Sequence, residues 1–231
     1  MLKIALSSLF SCSVIIPTAA TIVVLLMPQA GQAQRFGSRL TAAPNAFWGC
    51  ELAPILDPIT GRPTLAPTNQ TSCTMRNTGY INSLQVGSYV PRNGYISEVR
   101  VRSGNNPAPL RVVIMQCSPG LCGTAVRFSR VFRPRANKVT RFATSLKVVR
   151  SFSQDPIKGI QNITDAVGLT AVGPGTLPLL DQGTAGTFTS GSALTQLWYP
   201  GLQRGEPRVA DAYTDDGLEL LLQWKFQKNK P

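Results

Sequence analysis

The clearest alternation of apolar and polar positions runs through residues 91–132, where the chain reads as three consecutive antiparallel strands on tight turns. In Gly94–Arg102 one set of alternate positions holds Tyr95, Ser97, Val99 and Val101, and the other holds Ile96, Glu98, Arg100 and Arg102. Successive strand side chains point to opposite faces, so the first set is expected against a core and the arginines in water. Residues 103–107 turn the chain, because Gly and Asn tolerate the required backbone angles and Pro107 cannot continue a ladder. Leu110, Val112 and Ile114 resume the inward set, with Arg111, Val113 and Met115 opposite. A second turn over residues 117–122 leads into a third strand, residues 124–132.

The same reading gives short strands over residues 36–40, 46–50, 72–75, 84–86, 166–172 and 193–199, and a strand bent in its middle over 138–149. A last strand covers 218–226, with Leu218, Leu220, Leu222, Trp224 and Phe226 on one face and Glu219, Leu221, Gln223 and Lys225 on the other. Residues 52–69, rich in Pro, Thr and Gly, are expected as a surface loop, 151–163 as a connection, and 179–192 as an outward loop. Many short strands separated by turns predict an all-β fold, a single antiparallel β-sandwich, jelly-roll-like, over residues 34–231. A hydrophobic fraction of 43% against 15% charged residues agrees with a folded domain.

Residues 1–33 differ from the rest. Lys3 precedes an apolar run containing Val14, Ile15, Ile16 and, further on, residues 22–26; Gly31 and Ala33 then supply small residues. This is the pattern of a signal peptide, a hydrophobic signal helix with cleavage expected after Ala33. The competing reading is an uncleaved membrane anchor, although Pro17 and several serines and threonines interrupt a run that should hold about 20 mostly apolar residues. Either reading places the domain outside the cytoplasm, secreted or at the cell surface or envelope, with a membrane involved only through this segment if it is uncleaved.

Without residues 1–33 the cysteines are Cys50, Cys73, Cys117 and Cys122. An even count in an exported chain suggests disulfides. The proposed hairpin brings Cys117 and Cys122 together, leaving Cys50 for Cys73. Zinc is the rival, but the chain has no histidine and the spacing is poor for that metal.

Three stretches carry a resemblance: residues 91–102 (PRNGYISEVRVR), Leu110-Arg111-Val112, and residues 216–222 (DGLELLL). They resemble a group of exported bacterial β-sandwich proteins, in which an Asn-Gly or Asp-Gly turn opens a strand ending Val-Arg-Val-Arg and a terminal strand carries Glu-Leu-Leu-Leu. The resemblance covers most of residues 34–231 and implies a fold and a compartment. The group has no established activity, so no catalytic residue is carried over.

The lack of histidine excludes Ser-His-Asp and Cys-His catalysis and imidazole ligation. No cofactor or metal is expected. Glu206, Asp211, Asp215, Asp216 and Glu219 cluster late, where they read as a turn and the wet face of the last strand. Two alternatives use the same carboxylates: a calcium site, and a carbohydrate-processing enzyme with a carboxylate pair.

Formal net charge is +12, and from Arg92 to Arg150 the one acid is Glu98. Arg100, Arg102 and Arg111 are therefore candidate ligand-binding residues on a basic sheet face that attracts anionic envelope polymers or acidic glycans, with nucleic acid a poorer candidate. The plain alternative is a solvated face that keeps the protein soluble. Trp198 and Tyr199 close a strand at a loop, and if that strand is regular one of them faces outward, where it could stack on a sugar ring. The reading is a non-catalytic protein of surface binding or adhesion, against a carbohydrate-processing enzyme or a purely structural envelope component.

Overall fold

The computed structural model describes residues 34–56, 63–81, 84–118, 121–155, 159–181, 192–210, 212–213 and 218–231, all within the unit Gly31–Pro231. The expected leader lies outside these residues. No helix occurs among them; the strands are β1 (Gln34–Gly37), β2 (Leu52–Leu56), β3 (Pro63–Pro67), β4 (Cys73–Ile81), β5 (Leu84–Gly87), β6 (Gly94–Arg102), β7 (Leu110–Ser118) and β8 (Leu121–Phe128). They continue with β9 (Val139–Val148), β10 (Arg150–Asp155), β11 (Gly159–Ala171), β12 (Leu179–Asp181), β13 (Ser192–Trp198), β14 (Ala212–Tyr213), β15 (Leu218–Leu220) and β16 (Leu222–Gln227).

Two larger sheets carry the fold, and every strand pairing in them is antiparallel. One has the order β1-β16-β6-β9; the other runs β14-β13-β4-β11-β7-β8, with β10 added on β11 and β5 on β4. The smaller sheet gives Ile96, Val99, Trp224 and Phe226 to the main core, and the larger gives Met75, Val112, Ile114 and Leu169. Burying two such apolar faces against each other is what an all-β chain requires, and the arrangement is consistent with a β-sandwich. Each large side chain buried this way contributes roughly 1.5–3 kcal/mol.

The alternation expected for β6 holds only in its second half. Val99 and Val101 are buried, but at the start of the strand it is Ile96 that is buried, with Tyr95 and Ser97 half-buried. The register shifts beside Ser97 against both β16 and β9, and such an irregularity changes the phase of the side chains. Period-2 reasoning across residues 94–102 could not locate it. Likewise the final strand is two: β15 pairs with β12 and β16 with β6, and the residue between them, Leu221, is buried rather than wet.

Three segments read as connections or loops hold strands. Residues 52–69 contain the β2–β3 hairpin, where prolines are tolerated because both strands are edges of a two-stranded ribbon. Residues 151–155 of β10 and 159–163 of β11 pair antiparallel with each other, and 179–181 pair with β15. Residues 46–50, expected as a strand, are irregular; their carbonyls and amides bond residues 177 and 179 instead, which buries Trp48. Cys50 and Cys73 are joined in the expected disulfide, Cα atoms 5.4 Å apart. Cys117 and Cys122 stand opposite each other in the β7–β8 register, and the side chain of Cys122 lies outside the described residues.

Candidate functional site

The outer faces of the two sheets differ in chemistry. On the larger sheet, Val113 and Met115 of β7 and Ala125 of β8 form a second apolar cluster with Trp198 and Leu202. The chain after β13 folds back over it: the Gly205 amide donates to the Ala125 carbonyl, and the indole of Trp198 donates to the Arg208 carbonyl at 3.3 Å. Gly123 permits this close approach, since a Cβ there would lie 1.7 Å from the Arg208 oxygen. The irregular segment thus covers what period-2 reading takes for a wet face.

Trp198 is therefore fully buried and presents no stacking surface. Tyr199 is half-buried, and its hydroxyl donates to the Leu52 carbonyl. Arg111 also lies on this sheet, with its guanidinium 3.8 Å from the Phe128 ring centre. Burial lowers its pKa, and its Nε is buried without a hydrogen-bond partner among the described residues. Arg111 is thus separated from Arg100 and Arg102, which belong to the smaller sheet.

The smaller sheet presents a cationic outer face. Directly opposed residues of an antiparallel pair share a side. Val99, Trp224 and Phe226 point inward, and Phe36 stacks on Trp224 at 4.5 Å, so their sequence neighbours point out. Register then groups Arg35 of β1, Lys225 of β16, Arg100 and Arg102 of β6, and Arg141 and Lys147 of β9. Arg100 sits directly opposite Arg141, and Arg35 opposite Lys225. Like charges so placed repel, by a few tenths of a kcal/mol to about 1 kcal/mol a pair.

One carboxylate offsets this repulsion. Glu98, expected in water, has a side chain only 5% exposed. Its Oε1 accepts from Arg35 Nη1 at 3.0 Å and from Arg100 Nε at 2.9 Å, and its Oε2 pairs with Arg141 Nε. Burial pushes the Glu98 pKa up, but the hydrogen bonds from Arg35 and Arg100 and the charges of Arg141 and Arg100 outweigh it, so the pKa ends below the usual value. Each guanidinium has five N–H donors; among the described residues Glu98 takes one from each arginine, and Arg35 Nη1 also reaches Gln223 Oε1 at 3.5 Å, so the forks are held in place.

Arg102 is different. Its Nη1 donates to the carbonyls of Leu40 at 2.9 Å and Thr41 at 3.3 Å, and Leu40 holds a left-handed backbone at φ 59°. This side chain ties a strained turn to the C-terminal end of β6, an inner strand of the sheet. Next to β9, the crossing arm at residues 129–138 adds exposed Arg130, Arg133, Arg135 and Lys138 and no acid. Face and arm together hold ten of the chain's 23 lysines and arginines.

Of the late carboxylates, Glu206 is exposed and Glu219 half-buried, while Asp211, Asp215 and Asp216 lie outside the described residues. Sequence reasoning missed Arg35, Lys225 and the burial of Glu98. A lone acid in a long basic stretch was the available signal for Glu98; Arg35, 63 positions away, gave none. No protein-family model matches the chain, and no curated protein or solved structure matches it.

Proposed function

We propose that the protein is an exported, jelly-roll-like β-sandwich without catalytic turnover, acting at or outside the cell surface by binding anionic polymers such as acidic glycans or envelope polymers. The observation that carries this reading is the outer face of the β1-β16-β6-β9 sheet, where Arg35, Arg100, Arg141, Lys147 and Lys225 share a side with one buried carboxylate, Glu98, that pairs with three of them. Glu98 offsets only one of the positive charges of Arg35, Arg100 and Arg141, and a polyanion spanning the face would neutralise the remainder. The arm from Arg130 to Lys138 extends the same sign of charge beyond the sheet edge.

The test is retention on an immobilised sulfated or carboxylated polysaccharide, eluted with a salt gradient. Arg141→Glu with Lys147→Glu changes two exposed side chains on the face. Elution at clearly lower salt for this double variant supports the reading, because interactions between exposed charges are screened over about 8–10 Å at ordinary ionic strength. Retention equal to that of the unaltered protein removes it.

A further inference from the structure

The phase change beside Ser97 puts an aromatic ring on the cationic face. The residues on either side of Tyr95 turn to the core: Ile96 is fully buried, and a Cβ on Gly94 would lie 2.5 Å from the Phe226 ring. Tyr95 therefore points outward, since successive strand side chains take opposite faces. Its register partners are Lys147 of β9 and Gln227 of β16, whose own neighbours Val148 and Phe226 are buried. Tyr95, Lys147 and Gln227 thus form one row across the outer face, the ring half-buried and the lysine exposed. Glu98, with its three arginines, lies three residues further along β6, about 10 Å away. Among the described residues Tyr95 is the one aromatic of this outer face: Phe36 stacks on inward-pointing Trp224, Phe226 is buried, and Phe142 packs against the core.

A tyrosine seated on a strand is a rigid amphipathic platform with little conformational entropy to lose. It offers nothing to a bare chain of phosphates. A pyranose ring, by contrast, has a C–H face that stacks on an aromatic ring while the acid group of the same sugar reaches a neighbouring amine. We infer that the polyanion of this face is an acidic glycan, with one sugar ring stacked on Tyr95 and its carboxylate or sulfate on Lys147. This inference rests on the polymer reading above and narrows it to a class of polymer. A glycan lying along β6 spans the distance from Tyr95 to the arginines around Glu98. Single-stranded nucleic acid also carries rings, but proteins that hold it supply several aromatics for successive bases, and this face has one among the described residues.

The experiment titrates the full chain at fixed low salt with oligogalacturonate, linear polyphosphate and oligo-dT of matched charge. Tyr95→Ala should weaken oligogalacturonate binding about threefold to tenfold, while Tyr95→Phe, which keeps the ring, should stay within about twofold of the unaltered protein. Polyphosphate, having no ring, should bind all three proteins alike. Thermal melts of both variants establish that they are folded. An oligogalacturonate affinity unchanged in Tyr95→Ala, or a loss matched by an equal loss for polyphosphate, overturns the stacking role. A larger loss for oligo-dT than for the glycan also overturns it, by putting a base where the sugar is proposed. Failure of the polymer reading looks different, because there Arg141→Glu with Lys147→Glu leaves polysaccharide retention unchanged. A neutral Tyr95→Ala beside a charge variant that does elute early sinks the stacked sugar alone.

Discussion

Replacing Glu98 with Gln isolates the one carboxylate that holds the cationic face together. The side chain is 5% exposed and meets three arginines whose side chains are 37%, 33% and 67% exposed. A buried acceptor with charged donors contributes roughly 1.5–3 kcal/mol per bond, but donors this exposed regain water when released, and exposed pairs contribute about 1 kcal/mol or less. Three non-additive pairs on one buried oxygen pair therefore total about 2–3 kcal/mol. In a domain of this size each kcal/mol moves the melting point by roughly 2–4 °C, so Glu98→Gln should melt roughly 4–12 °C lower near neutral pH. The sign of the pH dependence follows from the lowered pKa. The advantage of the unaltered protein is full above the unfolded glutamate value of about 4.3 and is lost as pH falls through the lower folded value. Melting curves of both proteins between pH 3 and pH 7 test this. A Glu98→Gln protein that melts within about 1 °C of the unaltered one at pH 7, or a gap that persists undiminished at the lowest pH, would refute the argument.

Other expectations follow from single contacts. Asp165 is buried, accepts from the Val149 amide and pairs with Arg127 at 3.2 Å; burial outweighs both and raises its pKa. Relative to Asp165→Asn, the unaltered protein should therefore gain stability as pH falls from neutrality towards 4, opposite in sign to Glu98, as denaturant titrations at several pH values will show. Arg102→Ala should destabilise by about 1–2 kcal/mol through the freed carbonyls of Leu40 and Thr41 while polysaccharide retention changes little, which separates a structural arginine from the binding ones. Gly123→Ala should cost about 1–3 kcal/mol and loosen the cover over Trp198, seen as a lower melting point and a red-shifted tryptophan emission. Opening the Cys50–Cys73 crosslink by the double serine variant should cost about 3 kcal/mol, given a sequence separation of 23, measurable by urea denaturation.

By itself the sequence determined the class of structure and much of its framework. The alternation in residues 110–115 and 222–226, the turns between short strands and the even cysteine count, with Cys117 and Cys122 facing across a hairpin, led to antiparallel sheets and to the Cys50–Cys73 disulfide that the structure contains, because period and turn chemistry are local or nearly local properties. What only the tertiary structure decided is which face is wet. Trp198 and Met115 occupy outward positions of their sheet, yet an irregular segment lies across them. The irregularity at Ser97 moves Ile96 inward, which no count of alternate residues contains. Glu98 is buried because Arg35 and Arg141 arrive from strands distant in sequence, so its protonation and the shape of the cationic face are products of strand order rather than of neighbouring residues.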